Sequence, residues 1–212
     1  MPITIKSARE IELMKEAGRI LEIGHDELGK ALKPGMSTYE IDRLGEELIR
    51  SYGCVLSFLN YNGYPASICV SVNEEVVHGI PSRKRILKEG DIVGLDAGVI
   101  YKGYHSDAAR THAIGSVSQE AQDLIRVTRE CFFEGIKYAK EGNYLYEMNR
   151  KGVKLRRGIT LAIEPMINIG TDEVEWLDDD WTVVTADDSL SAHYENTVLI
   201  TEGDPVLLTL SK

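Results

Sequence analysis

Four acidic residues stand out because each lies within or at the end of an apolar segment: Asp96, Asp107, Glu164 and Glu195. A carboxylate among apolar neighbours is costly unless it is paired, protonated or bound to a metal ion. If all four share one pocket, two divalent cations would balance their charge. Oxygen-rich ligand sets suit hard or borderline metals such as manganese, iron or cobalt. The residue types therefore predict a metal site.

The two aspartates lie on the strands of a predicted hairpin, residues 91–99 and 104–114, joined by the turn at 101–103. With the turn centred between residues 101 and 102, Asp96 and Asp107 are expected directly opposite each other, with Cβ atoms about 5 Å apart. Like charges in that position need a cation or a shared proton. The alternative is two solvated aspartates on an exposed sheet face. Burial is favoured by the apolar flanking residues Ile92, Val93, Leu95, Ala108 and Ala109.

Glu164 closes a predicted strand over residues 158–166, and Glu195 lies within a predicted strand over 191–201. Either one alone is more typical of a charged residue at a sheet edge. His78 follows a predicted strand, where it is either a functional group or a turn histidine with its hydrogen bonds satisfied. His193 lies two residues before Glu195, so we expect it on the same face of its strand.

The composition restricts the class of protein. The chain has 212 residues, a net charge of −10 and 43% apolar residues, which favours one large folded domain over disorder. Its acidic balance argues against a dedicated nucleic-acid binder. The odd, widely spaced set of three cysteines predicts no disulfide framework. No apolar run reaches the roughly 20 residues of a membrane span, so we expect a cytoplasmic protein.

Two capping boxes, Ser7 with Glu10 and Ser37 with Glu40, begin amphipathic helices predicted over residues 8–31 and 38–52. Short strands are predicted at 54–59 and 66–72. A third helix is predicted over 118–140, and its apolar face is assigned to Leu124, Val127 and Cys131. The acidic segment 172–180 is predicted to be a solvated turn. Helices followed by strands, twice along the chain, indicate a weak internal duplication and an α+β fold.

Five short motifs stand out along the chain: Asn-Glu-Glu-Val-Val-His-Gly-Ile-Pro at 73–81, Gly-Asp-Ile-Val at 90–93 with Asp96, Ser-Asp at 106–107, Ala-Ile-Glu-Pro-Met at 162–166 and His-Tyr-Glu-Asn-Thr at 193–197. In these motifs the chain resembles bacterial type 1 methionine aminopeptidase, in order and over nearly its whole length. The resemblance implies the pita-bread α+β fold with two pseudo-symmetric halves, in a single metallo-aminopeptidase domain over residues 1–212. It implies removal of the initiator methionine from nascent proteins when the next residue is small.

The resemblance also implies roles for individual residues. Asp96, Asp107, Glu164 and Glu195 match the ligands of two divalent ions (cobalt, manganese, iron or zinc), with Asp107 and Glu195 bridging both. Glu164 matches a proton shuttle, and His78 matches a histidine that hydrogen-bonds the substrate. The methionine side chain would lie in an apolar slot of aromatic residues and a thiol. Its positions are Tyr61, Tyr64, Cys69 and Trp181, for which ordinary core packing is the alternative.

The chain departs from this family in its second half. The Gly-His-Gly-Ile-Gly motif that carries a fifth ligand is missing, as are the helix and strand around it. This indicates an internal deletion near residues 144–150, with its junction at Glu147-Met148. Either the protein carries a true deletion or the sequence omits a segment of it. His193 is not favoured as a replacement ligand, because family members often have histidine there beside the usual ligand.

Two other functions stay open. Because the ligand histidine is missing, one alternative is a catalytically inactive binding module of the same fold. A prolidase-like dipeptidase is less consistent with the pocket at Tyr61, Tyr64 and Cys69. The resemblance implies nascent polypeptide N-termini as partners and a monomer, with no DNA or membrane partner. Basic clusters at residues 83–88 and 151–157 suggest contact with the ribosome through phosphates, although solvated loops are the simpler interpretation.

Overall fold

The computed structural model describes residues 3–146 and 151–210. Its α-helices are α1 (Ala8–Ala31), α2 (Thr38–Ser51) and α3 (Gln119–Gly135). Its strands are β1 (Val55–Leu56), β2 (Cys69–Val72), β3 (Glu75–Val77), β4 (Ile92–Tyr101), β5 (Tyr104–Ala113), β6 (Tyr144–Tyr146), β7 (Lys151–Lys154), β8 (Thr160–Ile163), β9 (Met166–Asn168), β10 (Val174–Trp176), β11 (Val183–Thr185), β12 (Ser191–His193), β13 (Asn196–Leu199) and β14 (Val206–Leu207).

The first two helices begin where their capping residues predict. The Ser7 hydroxyl accepts a hydrogen bond from the Glu10 amide, and the Glu10 carboxylate accepts one from the Ser7 amide at 2.7 Å. Ser37 and Glu40 repeat this arrangement at the start of α2. These reciprocal bonds satisfy amides that a helix N-terminus otherwise leaves unpaired. The predicted bounds of α1 are confirmed, and α2 ends one residue earlier than predicted.

The third helix differs from its prediction in length and in its buried face. It ends at Gly135 and continues only as a 3-10 turn, Ile136–Tyr138. Its buried residues are Ala121, Leu124, Thr128 and Phe132, which follow one another at helical spacing. The assignment of Val127 and Cys131 to that face was wrong: both are exposed. The polar Thr128 is buried because its hydroxyl donates to the Leu124 carbonyl at 2.8 Å.

Strands β4 and β5 form the longest hairpin and carry the two aspartates. The turn consists of Lys102 and Gly103 alone, both at positive φ, and Tyr101 pairs with Tyr104. Because this turn is centred one residue later than predicted, every cross-strand partner shifts by two residues. Asp96 therefore pairs with Ala109, and Asp107 with Gly98. The aspartates are diagonal neighbours on one face of the sheet, not directly opposite as predicted.

The second half is built from short strands. The predicted strand 158–166 is divided into β8 and β9 at Glu164-Pro165, where proline cannot donate to a ladder. The predicted strand 191–201 is likewise divided, at Tyr194-Glu195. The prediction of a solvated turn over 172–180 was wrong in part, because its middle forms the exposed strand β10, paired with β11. Strands β8, β13 and β14 form one sheet, and β9 pairs with β12.

The two halves are joined by side chains of β5 and of the segment that includes Glu195. Thr197 Oγ1 accepts from the Asp107 amide at 2.8 Å and donates to the Asp107 carbonyl at 2.9 Å. The Glu195 amide donates to the Ala109 carbonyl at 3.0 Å. Arg110 adds hydrogen bonds to the Glu195 carbonyl and to Asn196 Oδ1. These contacts fix the acidic residues of the two halves at one seam.

Core packing is uneven between the halves. The largest buried apolar cluster lies among α1, α2 and the sheet of β1, β2, β4 and β5. In the second half, an apolar groove of about 300 Å³ runs beside β8, and Tyr138 and Leu145 at its side are more than half exposed. Strands β6 and β7 pair beside this groove. The predicted deletion junction, Glu147-Met148, lies outside the described residues.

The helix and strand arrangement agrees with the predicted α+β class. Each half places helix against antiparallel strands, with α1 on β4 and β5 and α3 on β9 and β12. Along the described parts of the chain, no helix combines the length and apolarity that crossing a bilayer requires.

Candidate metal centre and substrate cavity

The four carboxylates predicted from sequence line one cavity of about 260 Å³. Asp96 comes from the middle of β4 and Asp107 from β5, while Glu164 and Glu195 occupy the breaks that divide the two predicted strands of the second half. The breaks leave these two glutamates outside the regular ladders. The structure therefore brings together, from both halves, all four residues that the sequence singled out.

The donor atoms form two groups that share a member. Asp96, Asp107 and Glu195 offer carboxylate oxygens within 4.8 Å of one another. Glu164, His193 and Glu195 offer a second set within the same limit. Ligand atoms that each lie about 2.0–2.6 Å from one cation are separated by roughly such distances. Two neighbouring cation positions with Glu195 common to both are therefore compatible with this geometry.

The carboxyl groups of the first group are poorly stabilised in their ionised form by the protein alone. Burial, together with the neighbouring Asp107 charge, raises the pKa of Asp96 well above its usual value. Burial and Glu164 raise the pKa of Asp107 to about 7, and burial and Asp107 raise that of Glu195 to about 11. Asp96 Oδ1 and Asp107 Oδ1 are buried with no hydrogen-bond partner among the described residues. Buried carboxyl oxygens that lack a hydrogen-bond partner are suitable ligands for a divalent metal ion.

Glu164 is in a different environment from the other three. Its side chain is 47% exposed, and its pKa lies below the usual value, chiefly because of the side-chain contact with His193. Burial works in the opposite direction and is outweighed. His193 Nε2 lies 3.4 Å from Glu164 Oε2. Glu164 is therefore an ionised carboxylate at the edge of the cavity.

His78 reaches the cavity from the turn after β3. Its backbone has φ of 60°, a left-handed conformation that is uncommon for residues with a side chain and is often found at functional sites. The ring lies against Trp181 with centroids 6.2 Å apart. Burial lowers the pKa of His78 below its ordinary value, so the ring is neutral at pH 7 and has one N–H to donate.

The predicted methionine pocket is assembled as an aromatic wall of the same cavity. Tyr61, Tyr64, Cys69 and Trp181 all line it. Tyr64 packs edge-on against Trp181 with centroids 5.0 Å apart, and its hydroxyl lies 3.1 Å from the Gly79 carbonyl oxygen. Ordinary core packing does not explain Tyr61, whose side chain is 63% exposed. Tyr64 and Cys69 are buried and pack with Ala66 while also facing the cavity.

Three contributors to the site were missed or set aside in the sequence. Phe58 and Ala162 also line the cavity. The only signal for Phe58 was its place near the end of the apolar segment 54–59, before the turn-rich segment. His193 was placed on the correct strand face but was not favoured as a ligand. Of the other histidines, His25 is buried, with Nε2 2.8 Å from the Ala108 carbonyl oxygen. It thereby supports β5 beside Asp107.

Comparison with known proteins places the chain in a family. A model of metallopeptidase family M24 matches residues 12–151. The methionine aminopeptidase of Clostridium acetobutylicum is 44% identical and covers 98% of this chain and 99% of its own length. The chain belongs to the methionine aminopeptidases of metallopeptidase family M24. The member from Escherichia coli is 33% identical over 100% of this chain and 96% of its own.

Solved structures of the family confirm the predicted pita-bread fold and the resemblance to bacterial type 1 enzymes. The methionine aminopeptidase of Thermotoga maritima superposes with a TM-score of 0.94, at 36% identity, and covers 99% of this chain and 100% of its own. A prolidase from Pyrococcus furiosus gives a TM-score of 0.76 at 20% identity, over 98% of this chain and 66% of its own. That likeness concerns the fold alone.

The family alignments also differ from this chain in length. The alignment with the Clostridium acetobutylicum enzyme extends over 247 residues, whereas the whole chain has 212. That enzyme therefore contains residues with no counterpart here.

Proposed function

We propose that this chain removes the N-terminal methionine from nascent proteins when the second residue is small, using divalent metal ions. Membership of a metallopeptidase family establishes the metal dependence in general terms. The observation that carries the proposal is that three carboxyl groups with raised pKa values, Asp96, Asp107 and Glu195, lie beside an aromatic slot in one cavity. A metal site and a pocket for an apolar side chain are the two parts that this reaction needs.

The proposed metal centre holds two ions. Asp96 and Asp107 would hold one ion and Glu164 the other, and Glu195, the carboxylate common to both donor groups, would serve both. Cobalt, manganese, iron or zinc fits these ligands. When bound, such ions supply Lewis acidity toward a peptide carbonyl and toward an attacking water.

Glu164 is the residue best placed to move protons. Its low pKa keeps the carboxylate ionised at neutral pH, and its partial exposure gives it access to water. A Glu164 oxygen accepts the proton of the attacking water and then donates it to the leaving amine.

His78 and the aromatic wall orient the substrate. The N–H of the neutral His78 ring donates a hydrogen bond to the substrate carbonyl oxygen, where negative charge develops. Tyr61, Tyr64, Cys69 and Trp181 contact the methionine side chain, whose thioether interacts favourably with aromatic rings. The cavity of about 260 Å³ lies below the usual range for drug-sized ligands, so it suits one residue of a peptide rather than several.

The other two functions are less well supported. An inactive module would not explain why unpaired carboxylate oxygens are buried together, since such burial is destabilising without a cation. The Xaa-Pro dipeptidase of Bacillus anthracis and the prolidase of Pyrococcus furiosus are 20–21% identical to this chain, against 44% and 33% for the methionine aminopeptidases of Clostridium acetobutylicum and Escherichia coli.

The proposal includes a monomer in the cytoplasm that meets nascent chains at the ribosome. The supporting feature is the basic cluster at residues 83–88. Part of that charge is already used, because Arg85 pairs with Glu74 at 3.0 Å and Arg83 lies over the Tyr39 ring. Cosedimentation with ribosomes that weakens as salt increases would support the contact, and cosedimentation independent of salt would contradict it.

The activity is tested by methionine release from a Met-Ala-Ser peptide with cobalt, manganese, iron or zinc added to chelator-treated protein. We expect release with at least one metal, little release when leucine replaces the alanine, and none from an Ala-Pro dipeptide. Absence of release with all four metals, from protein shown to be folded by circular dichroism, would contradict the proposal. Preferential cleavage of Ala-Pro would instead support the dipeptidase.

A further inference from the structure

His193 is a buried polar side chain aimed at the carboxylates. It is 4% exposed and ends strand β12, two residues before Glu195. Its Nε2 has no partner with hydrogen-bond geometry among the described residues, and Glu164 Oε2 lies 3.4 Å away. A buried ring nitrogen facing two carboxylates in this way is a donor atom that lacks an acceptor or a cation.

Hydrogen bonds on both sides fix the His193 backbone. The His193 amide donates to Thr111 Oγ1 at 2.9 Å, and the Thr111 hydroxyl donates to the His193 carbonyl at 2.9 Å. In the ladder of β12 with β9, His193 pairs with Met166, which follows Glu164 by two residues. The same seam therefore fixes His193, Glu164 and Glu195 relative to one another.

We propose that His193 is the nitrogen ligand of the second divalent ion, together with Glu164 and Glu195. This inference rests on the proposed metal centre. Of the five histidines, all of which lie within the described residues, His193 is the one that belongs to a donor group. The first ion is held by oxygen alone, from Asp96, Asp107 and Glu195, and the second by oxygen and nitrogen.

This difference predicts unequal metal preferences. Carboxylate sites without nitrogen accept manganese readily, whereas imidazole favours cobalt, zinc or iron. We therefore expect the second position to discriminate more strongly against manganese than the first. The competing explanation is that His193 only positions Glu164 by donating a hydrogen bond, which would leave both ions with oxygen ligands alone.

The direct test is X-ray absorption of chelator-treated wild-type protein loaded with two equivalents of cobalt(II). We expect outer-shell scattering typical of one imidazole for every two cobalt ions. The matched control is His78→Gln, which changes a cavity histidine outside both donor groups and should retain this scattering. Two bound cobalt ions without imidazole scattering would overturn the inference alone. Protein that binds no cobalt would overturn the metal centre as well.

Two variants separate ligation from positioning. His193→Ala should weaken binding of the second cobalt by at least about 100-fold, whereas a group that only orients a ligand typically costs about 10–100-fold. Binding of the first cobalt should not change. His193→Glu supplies an oxygen donor and should restore most of the second affinity, because a carboxylate can replace imidazole as a ligand.

A positioning role predicts the opposite for His193→Glu. A second carboxylate beside Glu164 would repel it, and affinity for the second cobalt would stay as low as in His193→Ala. That result would overturn the inference. Thermal unfolding of the chelator-treated variants checks that each is folded, and if His193→Ala is not, His193→Glu and the wild-type absorption spectrum decide the question without it.

Discussion

The carboxyl groups on the two sides of the cavity differ in their exposure and in the direction of their pKa shifts. On the β4–β5 side, Asp96 and Asp107 stand on ten-residue strands, and their pKa values are raised by burial. On the β8 side, Glu164 stands at a break between strands of four and three residues, half exposed, with a lowered pKa. Burial, rather than the residue type, decides which carboxylate needs a cation and which can exchange protons.

This comparison explains how one site can combine rigidity with proton transfer. The long hairpin and the large core behind it keep like charges close together, an arrangement that a cation converts from unfavourable to favourable. The short strands of the second half leave Glu164 in contact with solvent. Glu195, at the seam between the halves, is buried and has a raised pKa like the two aspartates, but it belongs to both donor groups.

The largest effect is expected from Glu195→Gln, which changes the carboxylate common to both donor groups. Because both positions lose a charged ligand, we expect neither cobalt ion to be retained after dialysis and no measurable methionine release. Elemental analysis of the dialysed protein measures the first quantity. The matched control is Glu141→Gln, a conservative change outside both donor groups, which should keep both ions. Full metal content in Glu195→Gln would contradict the role of Glu195 as a ligand at both cation positions.

Glu164→Gln tests the β8 side alone. We expect kcat for Met-Ala-Ser to fall by about 10²–10⁴-fold, the range typical for loss of a general base, while the cobalt ion held by Asp96 and Asp107 stays bound. Single-turnover kinetics together with metal analysis separate the two effects. An unchanged kcat would mean that proton transfer does not pass through this side of the cavity.

Trp181→Ala tests the one residue of the aromatic wall that comes from the second half. The variant removes the ring that packs against Tyr64 and faces the cavity, so we expect kcat/KM for Met-Ala-Ser to fall by about 10–200-fold, as for lost apolar contacts in a specificity pocket. Tyr61→Ala is the matched control. Because Tyr61 is mostly exposed, its removal should cost less. Equal losses of kcat/KM in the two variants would contradict the larger contribution expected of Trp181 to methionine binding.

The smallest effect concerns stability without metal. The pKa of Asp107 is raised from 3.8 to about 7 in the folded chain, so its contribution to stability is fully present below pH 3.8 and is lost as the pH rises through 7. Asp107→Asn removes this loss. At pH 8 the chelator-treated variant should melt at least about 2–4 °C above wild type, the shift produced by 1 kcal/mol in a domain of this size.

Glu164→Gln is the matched substitution on the β8 side of the cavity. The pKa of Glu164 is lowered in the folded chain, so its ionised form contributes stability at pH 8, and Glu164→Gln should not raise the melting temperature. If both variants melt higher than wild type, the contrast between the two sides of the cavity is wrong.

Local signals made much of the fold predictable. The bounds of α1 follow from Ser7 and Glu10, because capping depends on residues three apart in sequence. Strand parity places Asp96 and Asp107 on one face for both the predicted and the observed turn, since shifting the turn centre by one residue moves partners by two. The exact register depends on the left-handed conformation of Lys102, which cannot be predicted from the presence of a lysine.

Non-local contacts explain the failures. The buried face of α3 depends on which strands pack against it, so a run of apolar residues was a poor guide to Val127 and Cys131. The role of His193 depends on how close Glu164 comes, and Glu164 belongs to a separate strand. The four carboxylates were predictable because an acidic residue in an apolar strand is unusual by itself, whereas a histidine there is not.

The central claim is that carboxylates from both halves hold two divalent ions. Equilibrium dialysis of chelator-treated wild-type protein against cobalt(II), followed by elemental analysis, tests it most directly. We expect two cobalt ions per chain in folded protein, with methionine release appearing as they bind. Folded protein that retains no cobalt, or that releases methionine equally well without any metal, would contradict it.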